Sequence, residues 1–467
     1  EGVSIFLGRR DNIFDQYYVE RPHELFRGEP ESAVLNPANP YIQTAHFKCA
    51  THCGRDSWDQ EGPLPGTLLE YFSDAAGIAG DFIQQGLVEV RQGSLFGRFE
   101  SPHDAPPLHD IRGGGERDYV IYDQRGKELE RKREWYAFRD AHPNAILEIN
   151  GQLYQVRTLD QDTREIRCEP IPQSEMRTRG KFDNRLVVNQ LYERKTDSAL
   201  FDLILGRVTI TNTLTDYVDY RIAVERICRN RRCSYTTKNT EQTRCPNCGG
   251  RLRLRQADEF VQSHKLLVDP PLAISLTTIA AWFELKPPMV QMYEQAFWPR
   301  WAPVPDDPNL TSVPEPEPSL LTALHSAQHA LRKIFPEVVI CDPNDIDGLH
   351  LREPPEPPKM YLFDHFPEGL GLAEEMFDES KPFLTAALRQ VENCNCFEDK
   401  GCPVCLGIYQ CRQFNASLSK LAARFLLRQW LGQPVEGVLS DLRAYVDANV
   451  HPSVVVREPA AAPPLHP

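Results

Sequence analysis

Four thiols stand within a dozen residues in the stretch Cys394-Asn395-Cys396-Phe397-Glu398-Asp399-Lys400-Gly401-Cys402-Pro403-Val404-Cys405. Two close-set pairs with Gly and Pro between them suit a tetrahedral zinc ion, the second pair closing a knuckle and the first approaching from the opposite side. A Cys-x-Cys unit does not easily bridge to itself, which argues against disulfides. Cys411 is a fifth thiol nearby, and Cys394 and Cys411 compete for one ligand place.

A second set, Cys228-x4-Cys233-x11-Cys245-Pro246-Asn247-Cys248-Gly249-Gly250, has the spacing of a zinc ribbon. Cys228, Cys233, Cys245 and Cys248 are its expected ligands, so two structural zinc sites are expected in all. Arg226, Arg229, Arg231, Arg232, Arg244, Arg251, Arg253 and Arg255 surround it; residues 226–255 hold eight Arg and one Lys against one Glu, a net +8. A zinc held by four thiolates is itself about −2, so roughly six charges remain in excess, which suits nucleic-acid phosphates. The rival reading is docking on acidic protein surface, because residues 301–380 carry sixteen acidic and four basic side chains, a net −12. With charge segregated in this way, the overall −14 is a poor guide to partners.

Weaker candidates lie elsewhere. His46, Cys49, His52 and Cys53 have ligand-like spacing, but four ligands on one short helix cannot converge tetrahedrally, so packing is expected. His325 and His329 sit at i, i+4 without the intervening Glu of a hydrolytic zinc helix, and are read as structural. Asp345, Asp347 and Asp364 could hold a hard cation, as in a metal-dependent nuclease. Asp in a Gly-rich turn more often bonds its own backbone. The chain contains neither Gly-x4-Gly-Lys-Ser/Thr nor a DExH box, so no ATP hydrolysis is expected from it alone.

The elements that must position these residues imply an α+β, multidomain chain, long enough at 467 residues and 41% hydrophobic for several cores. Residues 1–30 read as the exit from a missing domain, and the first residue, Glu1, suggests a fragment. Residues 31–110 read as winged-helix-like, with helices from Asn39-Pro40, from Gly66 to Phe72 and from Ala75 to Gln85, then a hairpin over Leu87–Phe96. Its third helix is not basic, which counts against groove reading. Residues 111–300 read as a small β-rich module of barrel type, with strands at Tyr119–Tyr122, Ala145–Ile149, Gln152–Val156, Ile166–Pro170 and Arg207–Thr211 and the ribbon 226–255 inserted. A Pro-rich linker, 301–318, precedes a C-terminal mixed α/β zinc-binding domain, 319–458, whose first helix has the apolar stripe Leu320, Leu324, Ala327, Leu331 and Ile334. Residues 459–467 read as a disordered tail. No apolar run approaches the roughly 20 residues of a membrane span, and reduced, metal-bound thiols point to a cytoplasmic protein.

Three separated stretches add a resemblance: Asp15-Gln16-Tyr17 with Arg21-Pro22 and Asn36-Pro37-x-Asn39-Pro40-Tyr41-Ile42; Asp364-x-x-Pro367-x-Gly369-x-Gly371; and Cys394-x-Cys396 with Gly401-Cys402-Pro403-x-Cys405. They resemble the C-terminal part of superfamily 2 DEAD/DEAH helicases of the mitomycin repair factor A type, which ends in a zinc-binding domain. The resemblance implies that Cys394, Cys396, Cys402 and Cys405 are structural zinc ligands. It implies DNA as partner, and a RecA-like motor in cis or on a partner chain. It also implies service in DNA repair or antiphage defence, with other subunits of such systems as further partners; a non-catalytic zinc-stabilised scaffold is the alternative. The ribbon is an insertion relative to shorter members, and Glu368 stands where the family's Pro-Gly-Gly-x-Gly turn has its first Gly.

Overall fold

The computed structural model describes residues 7–8, 13–23, 36–53, 75–86, 88–91, 94–97, 118–196, 198–229, 235–301, 318–396, 399–408, 411, 415 and 417–441. Residues 1–6, the helix expected at Gly66–Phe72, most of the Pro-rich linker and the C-terminal tail lie outside them.

Helix α1 (Ile13–Glu20) is followed by α2 (Pro40–Cys53) and α3 (Ala75–Gln84). Asn39 caps α2, its Oδ1 accepting the Ile42 N–H at 3.0 Å, and Pro40 supplies a pre-set φ at the first helical position. Gly86, with φ +70°, ends the third helical stretch, and β1 (Val88–Arg91) pairs antiparallel with β2 (Ser94–Gly97).

Next comes an open five-stranded sheet, not a closed barrel, in the order β4-β3-β7-β6-β5. Its strands are β3 (Asp118–Tyr122), β4 (Glu128–Arg133), β5 (Ile146–Ile149), β6 (Gln152–Asp160) and β7 (Glu165–Ile171), with α4 (Glu134–Asp140) after β4. Asn150 and Gly151 both take positive φ between β5 and β6, as a type I′ hairpin turn requires. Tyr119, Ile121, Phe138, Val156 and Ile166 are buried at its centre.

The second sheet is built on much longer strands than the alternation pattern suggests. Strand β8 (Met176–Lys195) has 20 residues and β9 (Phe201–Cys228) has 28, so the expected strand at Arg207–Thr211 is only a part of β9. Residues 201–213 of β9 pair with β12 (Ala273–Leu285) and residues 216–228 with β11 (Leu252–Lys265), while β8 runs along its other edge. Bulges in the β8–β9 ladder bend the ribbon, and Gly206 lies where a Cβ would collide with the Gln190 carbonyl. Beyond the last β8 rung, Met176 with Arg221, the β9–β11 hairpin continues without β8 for about 20 Å at 3.3 Å per residue. The short β10 (Thr236–Thr237) pairs with its end.

Strand β12 also pairs with β14 (Lys359–Asp364), and β14 with β13 (Ile346–Leu351). One sheet therefore contains strands from both sides of the Pro-rich stretch. Against it pack α5 (Pro287–Trp301), α6 (Leu320–Val338), α7 (Leu372–Asp378), α8 (Ser380–Asn393) and α9 (Lys420–Trp430). The stripe Leu320, Leu324, Ala327, Leu331 and Ile334 is buried as expected, and so is most of the rest of α6, which makes it the central helix of this core. Ser319 caps it, its Oγ accepting the Thr322 N–H at 3.2 Å.

Candidate metal centres

Helix α8 ends at Asn393 and delivers Cys394 directly. The Sγ atoms of Cys394 and Cys402 lie 3.6 Å apart, those of Cys396 and Cys405 3.5 Å, and those of Cys402 and Cys405 4.0 Å. A tetrahedron with Zn–S near 2.3 Å has edges of about 3.8 Å, so the four thiols already stand where a zinc ion needs them. Four thiols packed this closely cannot all ionise without a cation among them. The turn is a knuckle: Cys402 N–H points at Cys405 Sγ (3.3 Å) and Val404 N–H at Cys402 Sγ (3.4 Å). The carbonyl of Cys402 accepts the N–H groups of Cys405, Leu406 and Gly407. Gly401 takes φ +76°, where a Cβ would press on Cys405 Sγ and Leu406. Cys405 and Leu406 are fully buried in the helical core, so the knuckle is part of that core.

Lys420, at the start of α9, carries no spacing signal that would single it out. Its Nζ donates to the carbonyls of Cys394 (3.2 Å) and Cys396 (3.0 Å) and lies 3.5 Å from Cys396 Sγ, a cation placed to offset thiolate charge. Cys394 stands with the other three thiols of the knuckle and Cys411 does not. Cys411 Sγ is 3.4 Å from His325 Nε2 and stands apart from the four-thiol group.

At the far end of the β9–β11 hairpin, Cys228, Cys245 and Cys248 converge, with Cys228 and Cys248 Sγ 3.4 Å apart. Gly249, at φ +69°, lets its N–H return to the Cys245 carbonyl at 2.9 Å. Cys233, Arg231 and Arg232 lie outside the described residues. Arg229, Arg244, Arg251 and Arg253 are exposed; Arg226 donates to the Thr240 carbonyl and is half-buried. Arg244 and Arg251 form an isolated bridge, and Arg255 pairs in register with Glu225 through the backbone.

The three aspartates each serve the fold. Asp345 Oδ2 accepts the Asp342 N–H at 2.9 Å, and Asp347 pairs with the buried Arg332 at 2.8 Å. Asp364 accepts the backbone N–H groups of Leu370, Gly371, Leu372 and Ala373, capping α7 from a distance. Burial pushes the Asp364 carboxyl up to about 7, with Glu374 adding to the shift and the donated N–H groups opposing it. Gly369 (φ +80°) and Gly371 (φ +99°) make this turn possible. Glu368 also takes positive φ, +59°, and is held there by a bidentate pair with Arg207 of β9. Asn39 Nδ2 donates to the carbonyls of Pro367 (2.9 Å) and Gly369, joining the α2 N-terminus to a turn 330 residues away. Two of the stretches that carry the resemblance thus meet in space.

A knuckle of four thiols inside a helical core has the form of a zinc-binding module. Residues 327–406, which contain all four of those cysteines, match the family model of the MrfA Zn-binding domain. The chain is 26% identical over 418 residues, 87% of its length, to the uncharacterized ATP-dependent helicase YprA of Bacillus subtilis. It spans 45% of that helicase, about half. An uncharacterized protein of Methanocaldococcus jannaschii is 28% identical over 113 residues, which is 99% of that protein and 23% of this chain. The solved structure of DUF1998 helicase MrfA bound to DNA aligns with 89% of this chain and 46% of its own, at 23% identity and a TM-score of 0.45. The chain is thus similar over most of its length to an ATP-dependent helicase, and residues 327–406 match an MrfA-type zinc-binding domain.

Proposed function

We propose that this chain is the accessory, DNA-engaging C-terminal region of an ATP-dependent superfamily 2 helicase, held together by two structural zinc ions. The observation that carries this reading is the zinc-binding module of MrfA type within a chain that matches an ATP-dependent helicase over 87% of its length. Cys394, Cys396, Cys402 and Cys405 would hold one zinc. Cys228, Cys233, Cys245 and Cys248 would hold the other, at the tip of the hairpin. Force would come from a RecA-like motor in cis or on a partner chain, since this chain has no phosphate-binding loop. Divisions at 30, 110, 300 and 318, a winged-helix role for residues 31–110 and service in repair or antiphage defence belong to the same proposal.

The ribbon's role follows from charge and position. Its exposed arginines stand at the end of an arm that rises from the sheet, so a polyanion is drawn to the tip while residues 301–380, at −12, repel it. Changing Arg251, Arg253 and Arg255 to Glu should weaken binding to single- and double-stranded DNA irrespective of sequence. The slope of log affinity against log salt should flatten by about one unit for each phosphate that the variant no longer neutralises. The same affinity and slope in the variant would make the ribbon a protein-docking element and move the scaffold reading ahead.

A further inference from the structure

The four-thiol knuckle leaves a second group of ligand-type side chains unexplained. His325 and His329 lie one turn apart on α6, at 2% and 1% exposure, and Cys411, at 6%, comes from the loop that follows the knuckle. We propose that His325, His329 and Cys411 form a separate metal centre for a borderline-soft divalent cation, with zinc as the ion that fits the donor set. His325 and Cys411 fall just outside the stretch 327–406 that matches the zinc-binding family model, so that module does not account for the group.

Three features point to a ligand site. Residues i and i+4 of a helix share a face, so two imidazoles one turn apart present their ring nitrogens to one point; the two rings here are 4.3 Å apart. Their candidate ligand atoms and Cys411 Sγ all lie within 4.8 Å of one another, and His325 Nε2 is 3.4 Å from Cys411 Sγ. A tetrahedral zinc with N at about 2.0–2.1 Å and S at about 2.3 Å asks for separations of about 3.3–3.6 Å, so the shift on binding is small.

The second feature is the tautomer. His329 Nδ1 lies 2.7 Å from the Leu406 carbonyl oxygen, which can only accept. Nδ1 therefore carries the proton, and Nε2 carries the lone pair a metal takes. That carbonyl belongs to the residue after Cys405, so the knuckle itself orients a ligand of the second centre.

The third feature is the company the group keeps. His350 stacks on His325 with centroids 4.9 Å apart, and its Nδ1 lies 3.0 Å from Gln328 Oε1. Three imidazoles and a thiol are thus gathered at the edge of a largely apolar core. Burying that many polar groups is costly unless they bond one another or a metal. The centre would fasten α6 to Cys411, adding to the bond that already ties the N-terminus of α9 to α6, from the Ser419 N–H to Ser326 Oγ at 2.8 Å.

The test uses the full chain, loaded with zinc and then stripped of loosely held ion. Zinc K-edge X-ray absorption of the parent should show imidazole nitrogen scattering beside sulfur, because the two cysteine sets supply sulfur alone. In Cys411→Ala the zinc content should fall by one ion per chain and the nitrogen signal should vanish with most of the sulfur signal retained. A sulfur-only spectrum of the parent overturns the proposal, and that measurement needs no variant to fold. Equal zinc content and an unchanged nitrogen signal in Cys411→Ala overturn it as well. Either failure leaves the helicase reading untouched, since DNA binding and its salt slope are measured separately.

Discussion

Replacing Asn39 by Ala tests whether the N-terminal helices and the C-terminal turn form one unit. Asn39 is fully buried; its Oδ1 caps α2 and its Nδ2 serves the carbonyls of Pro367 and Gly369. Losing the cap costs about 1 kcal/mol, and each carbonyl left buried without a donor costs about 1–3 kcal/mol. The three effects share one side chain and do not add fully, so the expected total is about 3–5 kcal/mol. Hydrogen exchange reads it locally. Amides of Ile42 and of Leu370 to Ala373 should exchange at least a hundredfold faster, because each 1.36 kcal/mol of easier opening is about tenfold. Asn39→Asp separates the two jobs: it keeps the cap acceptor but turns an anion toward two carbonyl oxygens, and should be no better than Ala at neutral pH. Those carbonyls raise the folded-state pKa of the new carboxyl above its unfolded value. Its penalty is therefore full at neutral pH and shrinks as pH falls and a proton restores a donor. Exchange within about threefold of the parent in Asn39→Ala would refute the reasoning, as would parent-like behaviour of Asn39→Asp.

Cys402→Ser should cost one zinc per chain and unfold α6, α8 and α9 together, seen as loss of metal by elemental analysis and of helix by circular dichroism. The binding energy of a structural zinc, about 10–16 kcal/mol in small peptides, is comparable to a whole domain's stability of about 5–15 kcal/mol. A variant that melts like the parent would deny the knuckle any part in folding. At Glu368, Gly should lie within about 1 kcal/mol of the parent in thermal unfolding, because relief of positive φ offsets removal of the Arg207 pair. Ala keeps the strain without the pair, so it should be about 1 kcal/mol less stable than Gly; equal melting of the two variants would mean that the backbone there is unstrained.

What is legible in the residues is what local chemistry writes locally. Thiols that converge from short loops carry their spacing openly, and Cys394, Cys396, Cys402 and Cys405 come together as do Cys228, Cys245 and Cys248. A helix in a core must repeat its apolar face, so α6 is visible from Leu320 to Ile334. The long ribbon hides for the opposite reason. Along β8 from Val187 to Arg194, and along the outer half of β9, most positions are exposed or half-exposed on both faces, and the period-two contrast that marks a strand disappears. Those strands are held by the backbone ladder and cross-strand pairs, which composition does not display.

The aspartates show the same limit from another side. Asp345, Asp347 and Asp364 are spaced as a cation site could be, yet the fold uses each of them for structure. Asp364 works through four amides of residues 370 to 373, an acceptor role that needs Gly369 and Gly371 at positive φ and so leaves its trace as a glycine pattern rather than as a carboxylate pattern. That is why the turn stands out as a motif while its use does not. The partner that secures it, Asn39, is 330 residues away and is joined only through carbonyl oxygens. Every residue type offers a carbonyl, so no reading of side chains could pair them; only the closed fold puts the cap of one helix against the turn that caps another.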